Sequence, residues 1–95
     1  MLSYIADLKA GKTVKFRPKG RSMSGRIESG QLCTVEPVQV ADLKAGDIVL
    51  AKVGPNIYLH IAKAIQGERV LIANARGKVN GWTGSVYGRC VKVEA

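Results

Sequence analysis

Residues 56–66, NIYLHIAKAIQ, decide the fold. Their period is two: Ile57, Leu59, Ile61 and Ile65 fall on one face of an extended chain, and Tyr58, His60, Ala62 and Ala64 fall on the other. The aliphatic face is expected to meet a core. His60, the only histidine of the chain, stands outside that stripe, and the small alanines beside it leave room for another segment or a ligand.

The same period extends outward. Residues 13–18 set Val14, Phe16 and Pro18 against Lys15 and Arg17, with Lys19 and Arg21 continuing the charged face. Further strands are expected over residues 32–38, 47–53, 57–66, 69–73 and 85–93, and glycines or prolines punctuate nearly every gap. Only residues 2–10 read as helical, with Leu2, Ile5 and Leu8 on one side and Gly11 as a left-handed cap. The pentapeptide DLKAG occurs at 7–11 and again at 42–46; with no longer repeat around it, it reads as two copies of one glycine-ended turn. The fold class is mainly β: a small domain of coiled, barrel-like sheets with a short N-terminal helix. A helix and cap over residues 1–12 and a β domain over 13–95 form one unit.

Composition narrows the class of function. With 95 residues and 46% hydrophobic content the chain suits one small globular domain, and no apolar run nears the roughly 18 residues of a spanning helix. The start, MLSYIAD, lacks the basic and long apolar regions of a secretory signal. A cytoplasmic protein that does not engage a membrane is expected, with Cys33 and Cys90 as reduced, half-buried thiols in no metal-binding spacing. No cofactor or metal is implied. The net charge is +8, with seven Lys/Arg and no acid between Asp7 and Glu28, and five and none between Glu68 and Glu94. That asymmetry points to an anionic partner, nucleic acid or an acidic protein. Lys15, Arg17, Lys19, Arg21, Arg76 and Lys78 are the anion-binding candidates.

The remaining signal lies in the glycine-bounded turn KGRSMSGRIESG, residues 19–30. Read in order, GRSMSGRIESGQLCTVEP, LKAGDIVLAKV, YLHIAKAI, IANARGKVNGW and VYGRCVKV resemble the LexA-like and signal peptidase-like serine peptidases over residues 14–93. The family pattern is a Gly-x-Ser-Met-x-Pro turn, a Gly-Asp-Ile-Val strand, a strand carrying a lysine or histidine base, and a Gly-Asp-Asn-like loop before a last strand. Gly20-x-Ser22-Met23 and Gly46-Asp47-Ile48-Val49 carry the resemblance most specifically.

The resemblance implies that Ser22 is the nucleophile and Ser24 a neighbour that steadies the turn. It makes His60 the base, as in the histidine-using branch; Lys63 sits at an odd offset, on the other face of the strand. A neutral imidazole accepts a hydroxyl proton at physiological pH without the burial a lysine needs. Backbone N–H groups of Arg21 and Ser22, free of any ladder, suit an oxyanion hole.

The chain departs from the pattern in three ways. Gly25 replaces the proline, which loosens the turn; residues 74–77, NARG, replace the aspartate region; and no acid lies between residues 69 and 93. Asn74 or Asn80 is then the candidate to orient the imidazole. Two functions follow: a serine peptidase cutting a peptide bond in a partner protein, or a weakly active or inactive module of the same fold whose basic face binds nucleic acid or an acidic protein. Trp82 reads as a half-buried anchor of the loop bearing Arg76 and Lys78, or, in the second function, as a stacking platform. Ala10-Gly11 resembles a self-cleavage bond of the repressor branch, but only ten residues separate Gly11 from Ser22, so the chain is expected to stay intact.

Overall fold

A computed structural model describes residues 2–95, with the side chain of Leu2 outside the described set. One helix, α1 (Leu2–Lys9), precedes seven strands: β1 (Val14–Phe16), β2 (Leu32–Pro37), β3 (Ile48–Val53), β4 (Asn56–Gln66), β5 (Arg69–Ala73), β6 (Val79–Thr83) and β7 (Val86–Glu94). They form one antiparallel sheet in the order β1-β2-β7-β3-β4-β5-β6. The mainly β reading therefore holds, and the sheet curls strongly. Thr83 Oγ1 donates to the Lys52 carbonyl at 2.6 Å, and the Lys52 N–H donates to the Ser85 carbonyl at 2.9 Å. These bonds lay the β6–β7 corner against β3, well away from β6 in the sheet order.

Curling gives the sheet a core on each face. Ile5, Leu8, Phe16, Val35, Leu50 and Leu59 belong to the larger one, beneath α1. Tyr4 stacks on Phe16 with ring centroids 4.7 Å apart. Val49, Ala51, Ala62, Val70 and Ile72 are fully buried in the second core. Gly88 is needed where β7 passes under α1: a Cβ there would stand 2.7 Å from the Glu36 carbonyl oxygen and 2.7 Å from Val35 Cγ1.

The first strand stops at Phe16 instead of running through residue 18, because pairing with β2 ends at Phe16↔Cys33 and Pro18 has no N–H to continue a ladder. The four cations Lys15, Arg17, Lys19 and Arg21 consequently do not share one strand face. Residues 79–83, read as loop, form edge strand β6, and Trp82 lies on it, 42% exposed. It is therefore a strand residue and not the anchor of a loop.

Ile65 does not share the face of Ile57, Leu59 and Ile61. A bulge between Ala62 and Ala64 inserts Lys63, and an extra residue reverses the alternation beyond it. Ile57, Leu59 and Ile61 therefore meet the first core, while Ile65 and the fully buried Ala62 meet the second. The two DLKAG copies do end alike, on Gly11 at φ 85° and Gly46 at φ 100°, but in the second the helical turn is a 3-10 turn that ends at Asp42.

Candidate active site

The loop between β1 and β2 is stitched at its base. Arg17 Nη1 donates to the Gly30 carbonyl at 2.9 Å, and the Gly30 N–H to the Pro18 carbonyl at 2.9 Å. The Gly20 N–H reaches Ser29 Oγ at 3.2 Å. Within the loop Met23 and Ile27 are buried as anchors in the first core, and the Ile27 N–H closes a turn onto the Met23 carbonyl at 2.7 Å. Ser22, immediately before the Met23 anchor, is left exposed on a fixed backbone.

Gly25 does not merely loosen this turn. Its φ of 94° lies in the left-handed region, and its N–H donates to Glu28 Oε2 at 2.7 Å. Proline can supply neither the angle nor the donor, so this loop follows a different path from a Ser-Met-x-Pro turn.

The candidate base comes from β4. His60 is 6% exposed and sits opposite Val49 in the β3–β4 ladder. Tyr58, two residues earlier on the same face, stacks on the imidazole with centroids 4.7 Å apart and planes at 23°. His60 Nε2 is 3.1 Å from Ser22 Oγ, and its Nδ1 is 2.7 Å from Asn80 Oδ1.

Asn80 owes its position to a second bulge. Ile72 pairs with Gly81 and Ala73 with Val79, so Asn80 is the extra residue between them, and bulges re-aim side chains in this way. The loop and the β5–β6 hairpin are tied together by the Ala75 N–H donating to the Ser22 carbonyl at 2.9 Å. Asn74 lies elsewhere: its Oδ1 accepts from the Arg76 and Lys78 N–H groups at 2.9 Å each, closing the hairpin turn.

The chemistry follows from donors and acceptors. A carboxamide oxygen only accepts, so the proton of the neutral ring sits on Nδ1 and the Nε2 lone pair faces the Ser22 hydroxyl. Burial pushes the His60 pKa below its usual value, and the Asn80 hydrogen bond opposes this in part. The ring is thus a free base at neutral pH. Its partner is neutral, so an imidazolium formed here gains a hydrogen bond from Asn80 but no counter-charge. Arg21 and Ser22 direct their backbone N–H groups to no partner among the described residues, as an oxyanion site requires.

A cleft of about 210 Å³ opens beside the pair, lined by Pro18, Lys19, Met23, Ile57, Tyr58 and Leu59 among others. One wall is a bare strand edge. β5 pairs with β4 only from Ile61 onward, and in an antiparallel ladder alternate residues turn their amides to opposite edges. Ala62 spends its N–H on the Asp47 carbonyl and its carbonyl on the Gly46 N–H, both toward the β3 side. By alternation Tyr58 and His60 also bond toward β3, and the backbone groups of Ile57 and Leu59 face the cleft side.

The cation candidates scatter around this site. Lys19 lines the cleft, Lys15, Arg21, Arg76 and Lys78 are exposed, and Arg17 is spent on the loop base. The ion pairs among the described residues, Arg89–Asp47 and Lys92–Glu94, use none of the six. Lys63 is exposed on its bulge. No group of three or more His, Cys, Asp or Glu that could hold a metal occurs among the described residues, and no helix there is long and apolar enough to cross a membrane. Cys33 is buried and Cys90 partly so, with no disulfide between them. No family model matches the chain, and no curated protein is similar to it.

Proposed function

We propose that the chain is a serine peptidase of the LexA-like and signal peptidase-like kind, using Ser22, His60 and Asn80 to cut a peptide bond in a cytoplasmic partner protein. The observation that carries this reading is the continuous relay from Ser22 Oγ to His60 Nε2, 3.1 Å, and from His60 Nδ1 to Asn80 Oδ1, 2.7 Å. An ordinary surface serine has no reason to meet a buried, singly oriented imidazole.

In the proposed reaction an extended peptide adds to the bare edge at Ile57 and Leu59, which fixes its carbonyl beside Ser22. His60 Nε2 takes the hydroxyl proton as Oγ attacks, and the carbonyl oxygen, now negative, accepts from the Arg21 and Ser22 N–H groups. The imidazolium returns the proton to the leaving amine, leaving an acyl-Ser22 ester that water hydrolyses by the same steps. Asn80 holds ring and tautomer. Lacking a carboxylate, the relay is expected to turn over slowly; the same change in a Ser-His-Asp enzyme costs about 10⁴ in rate.

Cleavage of a mixed-sequence peptide library, read by mass spectrometry, tests this. Products that vanish in Ser22→Ala and in His60→Ala support it, and identical product profiles from all three proteins reject it. A second reading, the same fold kept as a binding module, is favoured by one observation: the cations around the cleft have no acidic partners among the described residues.

A further inference from the structure

The exposed indole of Trp82 is not explained by the dyad or by the core. Trp82 pairs with Leu71 across β5–β6, and Leu71 with Ala64 across β4–β5. Val70 and Ile72, on either side of Leu71, are fully buried in the second core, so the row Trp82–Leu71–Ala64 lies on the opposite face, beyond the stretch of β4 (Ile57, Leu59 and Ile61) that meets the first core. Trp82 is 42% exposed there, and Leu71 and Ala64 are only partly covered.

Cations flank that row. Arg69 stands two residues before Leu71 on the same face, about 7 Å along the strand. Exposed Lys63 is the bulge residue next to Ala64. Arg76 and Lys78 lie exposed in the hairpin turn at the far end of β6. None of the four forms an ion pair among the described residues. The acid nearest in sequence is Glu68, in the turn before Arg69.

We propose that the Trp82–Leu71–Ala64 row of β4–β6 binds single-stranded nucleic acid, with a base stacked on Trp82 and phosphates held by Arg69, Lys63, Arg76 and Lys78. An aromatic platform with cations to either side, on a partly covered stretch of the sheet, matches the demands of an unpaired strand: a free base face every nucleotide and a phosphate between. The carboxylates of an acidic protein would use the cations but offer no base face to stack on the indole. A duplex keeps its base faces stacked on one another and offers none to Trp82. The inference narrows the binding-module reading to one ligand and one face, and it holds whether or not Ser22 is a nucleophile.

Trp82 is the only tryptophan of the chain, so its fluorescence reports the contact directly. The intact protein is titrated at about 50 mM salt with an oligothymidylate, a duplex of the same length, and polyglutamate. The oligothymidylate should quench the emission to saturation, with affinity falling steeply as salt rises. Trp82→Ala, followed by anisotropy of a labelled strand, should weaken binding between about 5-fold and 150-fold, the span expected for loss of one stacked base. Trp82→Phe should stay within a few-fold of the parent. Arg69→Glu should weaken binding with the indole still present, which covers the case of an unfolded Trp82→Ala. The proposal is overturned by an unquenched indole, by polyglutamate or duplex binding as tightly as the single strand, or by Trp82→Ala and Arg69→Glu binding like the parent.

Discussion

Replacing Asn80 by Asp changes one neutral group into a charge without changing its shape, and the consequences can be worked out from the relay. With Oδ1 2.7 Å from His60 Nδ1, the charge centres of the introduced carboxylate and an imidazolium would lie about 4 Å apart. At an effective dielectric near 20 their attraction is about 4 kcal/mol, an upper bound near three pKa units. Carboxylates beside a cation typically shift it by about one to three units. The His60 pKa, held down by burial in the parent, should therefore rise by about two units in Asn80→Asp. Because His60 is the only histidine, its C2 proton gives one resolved titration curve by NMR. The rate of Ser22 acylation should follow with a characteristic split. It should be about tenfold or more faster above roughly pH 8, where the base is free and the imidazolium is now stabilised. Toward acid pH it should be slower than the parent, because the variant ring protonates first as pH falls. A His60 titration unmoved by the carboxylate would refute the claim that Asn80 is its Nδ1 partner.

Gly25→Pro, which would give the Ser-Met-x-Pro turn of the peptidases the sequence resembles, should instead destabilise the fold by about 3 kcal/mol or more in urea melts, because the φ of 94° and the bond to Glu28 are both lost. Burial, reinforced by the neighbouring Cys90, pushes the Cys33 thiol up to about 11; iodoacetamide near neutral pH should leave Cys33 unlabelled in the native protein and label it after unfolding. The lowered His60 pKa means that the unfolded chain binds a proton the folded chain refuses. Stability should thus be fully present above about 6.5 and decline as pH falls from there through the folded value, a slope that His60→Gln should flatten. Prolonged incubation at alkaline pH should leave the chain intact at Ala10-Gly11, checked by mass, since Gly11 lies in the cap of α1, where its N–H donates to the Leu8 carbonyl at 3.0 Å.

What the sequence reveals and hides divides along a physical line. Alternation places β4 and sets His60 apart from Leu59 because a period of two survives in any single strand. Bulges break that period without a local signature, so the sequence does not show that Ile65 changes faces after Lys63. The choice between Asn74 and Asn80 stays open in the sequence for the same reason. Both stand in one polar, glycine-containing stretch, and only the extra residue in β6 aims Asn80 at the ring. Strand β6 itself is hidden by composition, since VNGWT holds a glycine and an asparagine and is stabilised chiefly by pairing with β5. Reading it as loop conceals Trp82 as a surface residue of the sheet. Gly25 is legible as a departure, but its positive φ and its bond to Glu28 depend on the whole loop.

The measurement closest to the central claim is covalent labelling of Ser22. A fluorophosphonate reacts with a serine hydroxyl only when a base removes its proton as phosphorus is attacked, so it reads the Ser22–His60 contact without needing the natural substrate. The relay predicts one adduct per chain, mapped to Ser22 by peptide mass spectrometry, absent in Ser22→Ala and suppressed in His60→Ala. Its rate should fall on acidification as His60 protonates, with a midpoint below that of an ordinary histidine because burial lowers the His60 pKa. A folded protein that stays unlabelled, or labels equally at Ser24 and without His60, would contradict it.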